Sequence, residues 1–218
     1  MKHLVIIGLV IPEPASTAAG QRMMQLIELF KDWNYHITFL TSSNNIEFSE
    51  KIEVVKIELN DNSFDDLIKN LNPDIVLFDR YISEEQFGWR ISENCPNALK
   101  ILDTEDLHFL REARRKAYFE KRNFADEDMI NDVFKREMAS ILRCDVSLII
   151  SEFEINLLQN HFKINPDILF YIPFLNGKIP EKRNGFENRK HFVSIGNFLH
   201  EPNWQTVLKL KHIWKNIR

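Results

Sequence analysis

"HLVIIGLVIPEPASTAAGQRMMQLIELF", residues 3–30, joins three local patterns in one run. Leu4, Val5, Ile6 and Ile7 are continuously apolar over the length of a strand, without the alternation of a half-exposed one. Met23, Leu26, Ile27 and Phe30 then recur at helical spacing, which predicts an amphipathic helix over 18–33. Two prolines and the small residues of 15–20 separate them, with Ser16 or Thr17 placed to cap the helix. A buried strand, a loop and a helix in that order form the repeating unit of an α/β protein with a parallel sheet.

The unit recurs along the chain. "YHITFLT" (35–41) reads as a strand, and "KIEVVKIEL" (51–59) alternates as an edge strand would. A short helix near 64–71 precedes "PDIVLFD" (73–79), whose unbroken apolar run suits a central parallel strand, and "DRYISEEQFGW" reads as the loop after it. "ALKILD" (98–103) repeats the pattern. A long helical region over 105–143, interrupted near 123–126, leads to "VSLIIS" (146–151), and "DILFYIP" (167–173) closes the series. Ser151 with Glu154 three residues on has the spacing of a capping box. The expectation is a doubly wound, mostly parallel Rossmann-like sheet with helices on both faces, over residues 1–175.

Residues 176–190 are polar and turn-rich, which predicts a linker. "HFVSIGNF" (191–198) reads as a new strand and 201–218 as a helix with Pro202 in its first turn. One strand and one helix cannot bury their own apolar faces, so 191–218 reads as the start of an incomplete second Rossmann-like domain. Trp204 and Trp214 would leave apolar surface exposed unless this tail folds back or mediates a dimer.

Composition narrows the function classes. The chain has 218 residues, 44% hydrophobic and 28% charged, with a formal net charge of −4, so no basic field invites nucleic acid. Cys95 and Cys144 have no metal-site or disulfide-framework spacing and read as buried thiols. The N-terminal apolar run is too short to span a membrane and has no cleavage site, so a cytoplasmic location is expected.

Ligands of doubly wound sheets collect at the carboxyl ends of the strands. Three stretches stand there. Residues 15–20 let a ligand approach the backbone, although the loop has neither G-x-G-x-x-G nor G-K-[ST]; a plain capped turn is the structural alternative. Asp79 can act as a base or orient a hydroxyl and Arg80 can hold an acidic group, or the two simply pair. After the next strand, Asp103, Glu105, Asp106 and His108 are too crowded for convergent metal ligands, and helix capping by Asp103 and Thr104 is the simpler account. Arg111, Arg114, Arg115 and Arg122 share a helix face with interleaved glutamates, which reads as a solvated ion-pair face or a peripheral membrane contact. No Ser-His-Asp or Cys-His arrangement is visible.

Taken together, "PDIVLFDRYISEEQFGWRI", "KILDTEDLHFLREARR", "SEFEINLL" and "FVSIGNFLHEPNWQTVLKLKHIW", in that order after the opening loop, resemble the family 4-like glycosyltransferases of two-domain GT-B architecture. D-T-E-D-L-H-F-L-R and G-N-F-x-H-x-P-N are the more specific strings. The resemblance implies the acceptor-side domain of an enzyme that moves a sugar from a nucleotide-sugar donor, with no cofactor besides that co-substrate. The acceptor would be a saccharide or a lipid-linked molecule. It implies substrate contacts from Ser16, Thr17, Ala19, Gly20, Arg80, His108 and Arg111, and from Gly196, Asn197, His200 and Asn203 across the cleft, with Asp79 the catalytic candidate. Asp79 stands where the family often has a histidine, which is a departure. A second departure is the ending, one helix into the donor-binding domain, so the chain alone is expected to be inactive unless a separate chain completes it. A non-catalytic saccharide- or partner-binding domain of the same fold is the alternative.

Overall fold

The computed structural model describes residues 1–44, 46, 48, 52–175, 185–194, 196–198 and 201–217. In chain order its main elements are β1 (His3–Gly8), α1 (Ala18–Asp32), β2 (His36–Thr41), β3 (Glu53–Lys56), α2 (Ser63–Leu71), β4 (Ile75–Asp79), α3 (Arg80–Asn94), β5 (Leu99–Asp103), α4 (His108–Phe119), α5 (Asp132–Arg143), β6 (Val146–Ile149), α6 (Glu152–Asn156), β7 (Leu169–Tyr171) and α7 (Glu201–Trp214).

All seven strands pair in parallel, in the order β3-β2-β1-β4-β5-β6-β7. The order reverses between β1 and β4, which makes their carboxyl ends the switch point of a doubly wound sheet. Alternate residues of the central strands feed two cores. Val5, Ile7, Val76, Phe78 and Leu102 pack with α2 to α6, while Leu4, Ile6, Leu77 and Ile101 pack under α1 through Met23, Leu26, Ile27 and Phe30. Both faces are buried, which is why these strands are apolar throughout. β3 is the half-exposed edge its alternation predicts. Cys95 and Cys144 are buried free thiols, and among the described residues no helix is long and apolar enough to cross a membrane.

Four local expectations are corrected. Residues 80–89 are not a loop: α3 starts at Arg80 itself, because Tyr81, Phe87 and Ile91 bury one face and the chain reverses at a single left-handed residue, Arg80 (φ 68°). Asp103 and Thr104 do not cap α4; Thr104 Oγ1 donates to the Leu148 carbonyl. The free N–H groups there are taken by carboxylates from other elements. Glu137 of α5 accepts from His108 and Phe109 at 3.1 and 3.0 Å, and Glu154 of α6 accepts from Leu107 at 3.1 Å. Glu154 is therefore unavailable for a capping box, and Ser151 stands at the α6 N-cap without a side-chain bond. Finally, the described residues of 191–198 form no strand; a strand needs a ladder partner for its backbone groups, and the sheet already ends at β7.

Residues 176–184 of the expected linker, and His200, lie outside the described residues. α7 forms as predicted but buries none of its residues, and Trp204 and Trp214 stay exposed.

Candidate functional site

The loop after β1 is folded by its own residues. Glu13 accepts from the Ser16 and Thr17 backbones at 3.1 and 3.0 Å, and Ser16 Oγ donates to the Glu13 carboxylate at 2.7 Å. Thr17 caps α1, its Oγ1 accepting from Gly20 N at 2.9 Å. A β-carbon on Gly20 would stand 2.5 Å from Glu13 backbone atoms. The missing side chain is therefore required by the loop before any ligand is considered. Gly20→Ala is expected to lift the Glu13 turn off α1 at a cost of about 1–3 kcal/mol, read as a lower urea midpoint with an unchanged slope.

The second wall comes from the ends of β4 and β5. These strands are neighbours in register, with Asp79 opposite Asp103. Each is followed closely by a non-glycine residue in the left-handed region, Arg80 at φ 68° and Glu105 at φ 60°. Such residues cost on the order of 1–2 kcal/mol each and persist only where their surroundings hold them. Here they hold one another: Arg80 Nε lies 3.0 Å from Glu105 Oε2 and 3.2 Å from Asp79 Oδ1, and its Nη2 reaches Asp79 Oδ2 at 3.3 Å.

Between the two walls is a cavity of about 240 Å³, lined by Thr17, Ala19, Gly20 and the loop before them on one side and by Asp79, Arg80 and Glu105 on the other. Burial works against the Arg80 charge, but the Asp79 and Glu105 carboxyls more than offset it. Burial, reinforced by the Asp79 carboxylate, pushes the Glu105 carboxyl well above the ordinary range, and in its protonated form it hydrogen-bonds Asp79. At neutral pH the trio thus holds a neutral acid and a guanidinium beside the Asp79 side chain. It offers acceptors to ligand hydroxyls and, through Arg80, donors to a ligand oxygen.

Beneath it lies a group the sequence reading missed. Arg22 of α1 is 2% exposed and Asp103 is fully buried. Arg22 Nε donates to both Asp103 oxygens at 2.9 and 3.1 Å, and Nη1 donates to the carbonyl of Ile172 just past β7 at 2.8 Å. Burial nevertheless pushes the Asp103 carboxyl up to about 6 against the pull of Arg22. A signal was present: Arg22, Leu26 and Phe30 are four apart, which puts the arginine on the apolar stripe of its helix. Glu105 was legible only as one of four crowded groups after β5, because its approach to Asp79 depends on strand order.

The remaining candidates stand elsewhere. Ser16 is outside the cavity lining. His108 sits edge-on to Tyr81, with Nδ1 3.3 Å from Glu137 Oε1, and Arg111 pairs with Asp106 at 3.0 Å; neither lines the cavity. Gly196, Asn197 and Asn203 gather in the C-terminal segment, where Asn203 Nδ2 donates to the Asn197 carbonyl at 2.9 Å. Asp103 thus turns to Arg22 and Glu105 to Arg80, while Asp106 and His108 meet each other and pair further with Arg111 and Glu137. Arg111 and Arg115 of α4 are ion-paired, and Arg122, beyond the end of α4, pairs with Glu120 and Asp128.

This fold and switch-point crevice define a class of domain known from solved structures. The chain is similar to a sucrose-phosphate synthase from Thermosynechococcus elongatus (TM-score 0.58, 14% identity, 79% of this chain and 48% of that one). It is also similar to a lipopolysaccharide outer core galactosyltransferase (0.51, 12%, 78% and 44%) and to a glycosyltransferase from Rickettsia africae (0.50, 13%, 79% and 42%). At these identities the likeness establishes the fold alone, a doubly wound Rossmann-like α/β domain, and the chain spans less than half the length of each. No family model matches the chain, and no curated protein does.

Proposed function

We propose that this chain is the acceptor-side domain of a glycosyltransferase that moves a sugar from a nucleotide-sugar donor to a saccharide or lipid-linked acceptor. One observation carries the reading: the cavity at the β1/β4 switch point is walled by a glycine-containing helix start on one side and by Asp79, Arg80 and Glu105 on the other. Asp79 is assigned the hydroxyl of the reacting sugar and Arg80 an oxygen of the same ligand. The backbone at Thr17 to Gly20 lies nearest the phosphates. Residues 1–175 form this domain and 191–218 the opening of a second, donor-side unit, with Gly196, Asn197 and Asn203 facing the donor once that unit is assembled.

Calorimetric titration with UDP-, GDP- and ADP-linked sugars tests the assignment. Asp79→Asn keeps the shape and removes the charge, and a lost hydrogen bond to a charged group, about 1.5–3 kcal/mol, weakens binding by roughly tenfold or more. Absence of heat with every donor, or equal binding by the variant, would remove Asp79 from the site. A second reading, a non-catalytic partner-binding domain of the same fold, draws on the exposed Phe192, Trp204 and Trp214 of the C-terminal segment.

A further inference from the structure

A second groove runs between α3 and α5, with a volume of about 390 Å³, in the size range of small-molecule sites. Ala139, with its short side chain, and Trp89, 52% exposed, are its apolar lining. Two arginines of α5 span it. Arg136 donates to Glu85 through Nε (2.8 Å) and Nη2 and lies over the Tyr81 ring at 5.2 Å. Arg143 donates to Glu84 through Nε (2.9 Å) and Nη2, which also reaches Ser140 Oγ at 3.2 Å. Both forks are held on two sides, so little conformational freedom is lost if a ligand joins them.

The chemistry selects among ligand classes. Glu84 and Glu85 against Lys135, Arg136 and Arg143 leave a formal charge of +1 (three minus two), too small a field for a polyanion. An apolar ligand would bury two ion pairs against hydrocarbon without return. A pyranose has one C–H face, which a flat indole can cover, and a rim of hydroxyls that each donate and accept. The part-exposed Arg136–Glu85 pair sets a donor beside an acceptor, the arrangement that neighbouring hydroxyls require, and Arg143, held by the buried Glu84, adds a donor. We infer that the α3–α5 groove is a second saccharide-binding site, separate from the crevice, in which the Trp89 ring face opposite the Arg90 guanidinium stacks on the sugar and the Arg136–Glu85 pair and Arg143 bind its hydroxyls.

The chain's four tryptophans, Trp33, Trp89, Trp204 and Trp214, make the test direct. The protein is labelled with 5-fluorotryptophan, the Trp89 resonance is assigned with Trp89→Phe, and cellobiose, maltose and lactose are titrated at millimolar concentration with glycerol as control. The expected result is a saturable shift of the Trp89 resonance with at least one disaccharide, unchanged in Asp79→Asn. Ala139→Leu adds bulk to the lining while keeping both ion-pair partners and helix propensity, and should weaken that binding by about tenfold or more. No saturable shift with any disaccharide, an equal shift with glycerol, or full binding by Ala139→Leu overturns the inference.

Discussion

Arg22→Met is expected to destabilise the protein by about 3–5 kcal/mol at neutral pH, the cost of leaving one member of a buried ion pair without its partner. The substitution keeps the side chain's bulk on the α1 stripe, so lost packing contributes little. It strands Asp103, which is fully buried, and frees the Ile172 carbonyl. The loss should shrink as the pH falls. Asp103 already titrates near 6 with Arg22 beside it, and without the arginine its folded-state value rises further. A carboxyl raised on folding contributes stability that is present below its unfolded value and lost as pH rises through the folded one. Urea unfolding at pH 4 and pH 7 measures both terms. Arg22→Met combined with Asp103→Leu should recover most of the loss; simple additivity of the two changes would refute the paired account.

Glu105→Gln carries the second large effect, and it concerns pH. Burial and the Asp79 carboxylate hold Glu105 protonated in the folded protein, while the unfolded chain ionises it at the ordinary carboxyl value of about 4.3. The sign follows from the raised folded value: wild-type stability is full at acid pH and falls from there through neutrality. Each unit between the two values is worth about 1.4 kcal/mol. The glutamine amide can still donate to Asp79 and does not titrate, so the variant should match the wild type at acid pH and exceed it at pH 8. In a domain of this size the gap should appear as about 2–4 °C of thermal midpoint per kcal/mol. Parallel melting curves across the range would expose the opposite assignment, an ionised Glu105 locked to Arg80.

These expectations rest on groups of unequal legibility. Where one residue's pattern reports its own surroundings, the sequence was sufficient: "PDIVLFD" is apolar because both its faces are covered, and it is β4 beside β1. "KIEVVKIEL" alternates because β3 is an edge. Thr17 caps α1 as its type and place suggest. The site needed information that no local window holds. Glu105 meets Asp79 because β5 lies beside β4 in a particular register, and Glu137 reaches the start of α4 because α5 packs against it. The α3 start was hidden for a local reason, since Asp79 and Arg80 suggest a loop and the reversal is made by an arginine in a conformation usually left to glycine.

The Arg22 contacts also set an order on synthesis. The arginine leaves the ribosome with the first helix, its carboxylate partner follows 81 residues later, and the Ile172 carbonyl 150 residues after Arg22 itself. Domains tend to fold as units while the chain emerges. During that interval α1 carries a cation that its own final burial cannot yet tolerate, so the nascent helix stays at the water-facing surface of whatever has formed. Closure of the α1 face over the sheet is then expected to be a late event, following the arrival of β5 and completed after β7.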